Sequence, residues 1–269
     1  MRALLLRVVL IGGTGMALVA ASCEFSGSFN GTESSFSGTT ANNMPNAVAT
    51  GVWSGSDSAS GLSVTGLINA AGLATFIRGD GVQFVGQVQL AGDALSVTVQ
   101  GYSAFGTPFS DGTTYGSGTL NGTVVTGSTL TATLTFTTSG NTRLTGDWSF
   151  TFAARSNDGS STAAISGNYR DTATATVVSI NGDGAMTSQD PANGCILNGA
   201  VTTHDSAHDL YEVSYSFGDC TGAYAALNGV QFTGLASLNT SGSPAQLTLA
   251  VTGAASANRY GIVSQLNGS

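Results

Sequence analysis

Residues 83–102, QFVGQVQLAGDALSVTVQGY, alternate apolar and polar side chains on either side of a Gly-Asp step. A period of two places one set on each face of a β-strand. It does not fit an α-helix, whose apolar stripe repeats near every 3.6 residues. The same alternation returns in LSVTGLI and LTATLTF, then in ATVVSI, ILNGAVTT, LYEVSYSF, VQFTGLASL and QLTLAV. The joins are short, and AGD at 91–93 and NGDG at 181–184 read as hairpin turns. No segment carries a convincing helical period.

The alternating body is written twice. Trp53 in TGVWSGS and Tyr169 in SGNYRDT lie 116 residues apart, as do Gly118 and Gly234. Gly86-Gln-Val88 matches Gly199-Ala-Val201 at a spacing of 113. An ordered series of matches predicts an internal duplication with a period near 116. The expected fold is therefore all-β, with two tandem antiparallel repeats over 48–155 and 160–269. Seven or eight short strands per repeat suit a small up-and-down β-barrel or sandwich, shapes that leave few exposed edges. One continuous β structure shared by both repeats is the alternative.

Composition agrees with strands and turns. The 269 residues include 38 glycines and 4 prolines, no lysine, and 8% charged residues. Net charge is −8, and the segment from Cys23 onward carries five arginines against fifteen acids, or −10. Phosphate binding needs clustered Lys and Arg, so this balance argues against nucleic acid and against anionic headgroups as a partner surface.

The first residues read differently from the body. MRALLLR is a short basic region, VVLIGGTGMALVA is an apolar run too short for a comfortable membrane span, and Ala20, Ala21 and Ser22 precede Cys23. That is the pattern of a secretory signal peptide over 1–22. Its end resembles the lipobox of bacterial lipoprotein precursors, with Ala20 where leucine is usual. The resemblance implies cleavage before Cys23, lipidation of Cys23 with fatty acyl chains such as palmitate, and attachment to a membrane of the cell envelope. Glu24 in the next position implies the outer membrane as the default destination. Ordinary signal cleavage nearby and an uncleaved anchor are the alternatives. Residues 23–47 read as a flexible tether, rich in Ser, Gly, Asn and Thr, unless Phe25, Phe29 and Phe36 dock it as an edge strand.

The remaining cysteines, Cys195 and Cys220, sit at the outer ends of strands expected at about 195–203 and 210–218. Opposed residues of an antiparallel hairpin have a constant sum of numbers. For this pair the sum is 415, which puts the turn at 207 to 208, inside HDSAHD. An oxidising envelope favours their disulfide.

Candidates for chemistry are few. His204 and His208, with Asp205, Asp209 and Glu212 nearby, are weak candidates for a metal site. A hairpin tip does not give the shared helix face that i and i+4 histidines use, and zinc needs a third ligand. Acids recur in the turns RGDG (78–81), FSDG (109–112) and SNDG (156–159), where Asp serves turn geometry. NGDGAMTSQD lacks the spaced ligands of a calcium loop. No catalytic residue and no cofactor is indicated.

The openings of the two copies also resemble, in pattern alone, avidin- and lipocalin-type barrels, and no ligand residue carries over. The reading is a non-catalytic binding or structural module of the bacterial envelope, held to the membrane through lipid on Cys23. Its partner, an envelope protein or a small hydrophobic ligand, is not legible. A carrier would need an open apolar interior instead of one filled by side chains such as Trp53, Phe84, Trp148, Tyr169 and Tyr215. A hydrolase would need Ser, His and acid residues gathered in one cleft. A transmembrane barrel would need strands of nine or more residues, and most alternating segments are shorter.

Overall fold

In the computed structural model, which describes residues 48–171, 174, 176–255 and 258–269, the alternating segments form sixteen strands. The first eight are β1 (Gly51–Asp57), β2 (Ser63–Ile68), β3 (Leu73–Arg78), β4 (Gln83–Ala91), β5 (Ala94–Tyr102), β6 (Tyr115–Val125), β7 (Thr129–Thr138) and β8 (Arg143–Phe152). The second eight are β9 (Gly167–Arg170), β10 (Val177–Ile180), β11 (Ala185–Gln189), β12 (Ile196–Thr202), β13 (Tyr211–Gly218), β14 (Gln231–Asn239), β15 (Gln246–Ala255) and β16 (Asn258–Gly268). Each set pairs antiparallel in chain order and closes on itself, β8 on β1 and β16 on β9. The architecture is two tandem closed barrels. Among the described residues neither a sandwich nor one shared sheet forms.

The duplication is visible strand by strand. Trp53 and Tyr169 lie on β1 and β9, Gly86 and Gly199 on β4 and β12, Gly118 and Gly234 on β6 and β14. Their surroundings repeat as well. A Cβ on Gly118 would overlap the carbonyl oxygen of Thr135, and a Cβ on Gly234 that of Ala250. Gly86 and Gly199 meet the carbonyls of Thr98 and Ser214 in the same way. Closing eight strands into a narrow barrel bends them sharply, and the bend brings neighbouring backbone into the space a side chain would need.

Several strands are longer than the alternation alone suggests. β4 to β8 and β14 to β16 run nine to eleven residues. Inward glycines such as Gly118 and Gly122 interrupt the apolar count without interrupting the strand, so the alternation reads as shorter pieces. The polarity, however, is inside-out for a membrane barrel. On β7 the inward side chains are Leu130, Ala132, Leu134 and Phe136, while Thr129, Thr131, Thr133, Thr135 and Thr137 face outward. A lipid-facing wall requires the reverse.

The barrels touch through apolar patches on their outer walls. Val52, Leu67 and Ile77 of β1 to β3 pack with Leu235 and Ala250 of β14 and β15 and with Leu210, and Val263 of β16 joins them. This contact explains why β2 and β3 are buried on both faces, with burial runs that abandon the period of two. Polar groups cross the same boundary. Asn69 Nδ2 donates to Glu212 Oε1 at 2.9 Å, and Gln83 Nε2 donates to the Val251 carbonyl at 3.2 Å. The connection at 153–166 is bonded to both bodies. Ser156 Oγ accepts from Val52 N at 3.0 Å, and its carbonyl accepts from Asp209 N at 2.8 Å.

Candidate functional site

A barrel's natural binding site is its interior, and both interiors are occupied by side chains. In the first barrel the ring of Trp148 lies 5.7 Å from Phe76, 5.4 Å from Phe84 and 6.1 Å from Phe150, and Phe84 stands edge-on to Phe136 at 5.3 Å. In the second, Tyr215 stacks on Phe232 at 5.5 Å and meets Phe217 at 5.3 Å. Trp53, Phe84, Trp148, Tyr169 and Tyr215, the side chains expected to decide between a filled and a hollow barrel, are all at most 4% exposed. Burial without a compensating charge pushes the Tyr215 phenol well above its usual range, so it stays neutral in the core.

A cleft of about 270 Å³ lies at one end of the first barrel. Three connections line it: the β3–β4 turn with Arg78 and Asp80, the β5–β6 loop with Thr107 to Ser110, and the β7–β8 turn with Thr138 and Thr142. Its charges are spoken for. Arg78 Nη2 lies 2.7 Å from Asp80 Oδ2, and its Nε donates to Oδ1 at 3.0 Å. Burial opposes ionisation of the Asp80 carboxyl, but the Arg78 bonds and backbone donors together hold it below its usual range. The RGD tripeptide is thus an internally paired turn.

The β5–β6 loop, 103–114, packs against both barrels. Phe109 packs over the mouth of the first, 5.7 Å from Phe136, against that barrel's core. Phe105 reaches the second, 5.5 Å from Tyr260 and 5.4 Å from Tyr224. Backbone reinforces the crossing: Phe105 N donates to the Gly261 carbonyl at 3.0 Å. Asp111 accepts from Thr113 Oγ1 at 2.6 Å within the loop and from Thr138 Oγ1, and the second bond ties the loop to the end of β7. Those hydroxyl donors hold its carboxyl far below the ordinary carboxylate range. The loop's apolar residues are isolated among Ser, Thr and Gly, so no period marks them in the sequence.

The histidines sit in the β12–β13 connection. His208 Nδ1 lies 2.6 Å from Asp205 Oδ2, whereas His204 Nδ1 lies 3.7 Å from Glu212 Oε1. The two rings therefore belong to separate pairs. Among the described residues no three His, Cys, Asp or Glu side chains gather in a way that could hold a metal ion. Ser160 Oγ donates to the Asp205 backbone carbonyl at 2.9 Å and not to the His208 ring, so the order of a hydrolytic triad is not assembled there among the described residues.

Asp209, which reads in the sequence as one more polar turn residue, is a buried carboxylate, only 2% exposed. Arg155 Nη1 lies 2.8 Å away, and Leu238 N and Ser237 Oγ donate to it at 3.0 and 2.9 Å. Burial outweighs these stabilising partners and raises its pKa to about 6. Arg155 comes from the connection between barrels, so the cluster fastens that connection to the second barrel. Asp57, 1% exposed, is likewise structural: it accepts from Ala59 N at 3.0 Å and Ser60 Oγ at 2.7 Å, capping the β1–β2 turn.

Cys195 and Cys220 form a disulfide. The register differs by one from the expected sum of 415. Ile196 faces Gly218 and Leu197 faces Phe217, each pair summing to 414. Asp219, in a left-handed conformation with φ of 57°, absorbs the extra residue and turns Cys220 toward Cys195. Asn228 completes the corner, accepting from Cys220 N at 2.8 Å and donating to its carbonyl at 3.0 Å. Cys23, the expected lipidation site, lies outside the described residues, as do the signal peptide and tether. No protein-family model matches the chain, and no curated protein matches it significantly.

Proposed function

We propose that this protein is a lipid-anchored lipoprotein of the bacterial cell envelope, and that its two-barrel body is a non-catalytic binding or structural module. The observation that carries the non-catalytic, non-carrier reading is the filled interior of both barrels, each packed with interlocking aromatic rings. The scattered pairing of the titratable groups supports it, since Arg78 with Asp80, His208 with Asp205 and Arg155 with Asp209 each serve a local turn or connection. The anchor rests on the residues up to Cys23, with membrane attachment through its lipid and the outer membrane as destination. Outward polar walls favour a body held beside the membrane over one held within it.

Intact mass of the protein purified from a bacterial host tests the anchor. A diacylated or triacylated Cys23 at the mature N-terminus is expected, and an unmodified start at another residue would remove the anchor. Native mass spectrometry of the same sample is expected to show no retained small molecule. A stoichiometric apolar ligand released on unfolding would restore the carrier reading.

A further inference from the structure

The two barrels meet through unlike walls. The second presents the outward row Leu235, Ala250 and Val263, cross-strand neighbours on β14, β15 and β16. The first receives it with Val52, Leu67 and Ile77. A head-to-tail contact of this kind does not close on itself, so each barrel keeps one wall unused. Among the described residues, the walls not docked on the other barrel are the first barrel's β6–β8 and the second barrel's β9–β11.

The duplication identifies which residues stand at the equivalent positions. Gly118 corresponds to Gly234, and both pair into the following strand, with Phe136 and Val251 respectively. The first-barrel row equivalent to Leu235, Ala250 and Val263 is therefore Thr119, Thr135 and Thr145, joined by the same register. Trp53 corresponds to Tyr169. Val52 faces Leu67 as Asn168 faces Ser179, and Thr65 faces Ile77 as Val177 faces Gln189. The second-barrel equivalents of Val52, Leu67 and Ile77 are thus Asn168, Ser179 and Gln189. At these three positions on each wall the residue is apolar where docked and polar where free, although Val125 and Val177 stand exposed elsewhere on the free walls and Thr75 is buried on the docked one.

We infer that these polar rows are caps: they terminate a head-to-tail array at two barrels by denying a second copy of this chain a docking wall at either end. Simple solvation also favours polar residues on a free wall. A cap requires more, namely that the backbone of each free wall keeps the shape needed for docking and only its side chains prevent it.

Reinstating the apolar rows tests this in the mature chain carrying Cys23→Ser, so that no acyl group contributes. One variant carries T119L, T135A and T145V. The other carries N168V, S179L and Q189I. By sedimentation velocity each variant alone is expected to remain monomeric, and an equimolar mixture to form a species of roughly twice the mass, as a single heterologous contact requires. A mixture that stays monomeric overturns the inference, and so does equal self-association of either variant alone, which reports general stickiness. If either variant fails to fold by circular dichroism, the single replacements T119L and S179L take the place of the triple sets in the same mixing experiment, and a mixture of folded proteins that stays monomeric again overturns the inference.

Discussion

Trp53 and Tyr169 occupy the same position in the two barrels and make the same bond with different chemistry. The indole Nε1 of Trp53 donates to the carbonyl of Ala49, and the phenol of Tyr169 donates to the carbonyl of Ile165, each at 2.9 Å and each four residues back. An aromatic that fills the barrel end also ties down the chain entering it. Removing only the hydroxyl in Tyr169→Phe leaves the ring packing intact and takes this donor from the Ile165 carbonyl. A loss of about 1–2 kcal/mol is expected, read from urea denaturation midpoints.

The glycines matched between repeats are steric necessities. Alanine at Gly118 or Gly234 would drive its methyl into the Thr135 or Ala250 carbonyl. Each substitution should cost about 1–3 kcal/mol or more. Gly127 is the control. It turns with φ of 59° and faces open space to 4 Å where a Cβ would sit, so asparagine there should be nearly neutral. Thermal melts of the three variants separate the two classes.

The disulfide closes a loop of 25 residues by sequence separation. On the chain-entropy account, Cys195→Ser with Cys220→Ser should lower stability by roughly 3–4 kcal/mol. Unfolding of the unsubstituted protein with and without reductant checks the same quantity, and the two losses should agree.

Asp209 gives the protein an unusual pH dependence. Its pKa is raised to about 6 in the folded state, above the ordinary carboxylate value, so the folded protein binds this proton more tightly than the unfolded chain does. The contribution of this group is favourable below the ordinary value and is lost as pH rises toward 6. The lowered carboxyls, Asp80, Asp111, Asp190 and Asp205, act in the opposite sense, losing stability only as pH falls. Asp209→Asn isolates the first effect. Relative to the variant, the unsubstituted protein should lose on the order of 2–3 kcal/mol between about pH 4 and pH 7, measured by denaturation at each pH.

Thr75 is fully buried on the wall of β3 that faces the second barrel, and its hydroxyl has no hydrogen-bond partner among the described residues. Thr75→Val keeps the shape and removes an unsatisfied polar group. It should raise stability by about 1 kcal/mol, seen as a higher melting temperature.

Much of this architecture is legible in the chain. The alternation in QFVGQVQL and LTATLTF dictates strands because only a period of two separates Leu130 and Leu134 from Thr131 and Thr133. The spacing of Trp53 to Tyr169 and of Gly118 to Gly234 announces two copies, because each copy must solve the same packing problem at its entry and its bends. What periodicity does not carry is contact between walls. Val52, Leu67 and Ile77 lie on outward positions, and a lone apolar residue there reads as tolerated exposure. LATFIR, apolar except for Thr75 and the terminal Arg78, is a local sign that β3 is buried on both faces. Phe105 and Phe109 packing against two barrels, Arg155 reaching Asp209, and Asp219 shifting the Cys220 register by one all join residues distant in sequence or depend on a single backbone angle. Local pattern determines which face of a strand is apolar; only closure of the barrels and their docking decides what that face meets.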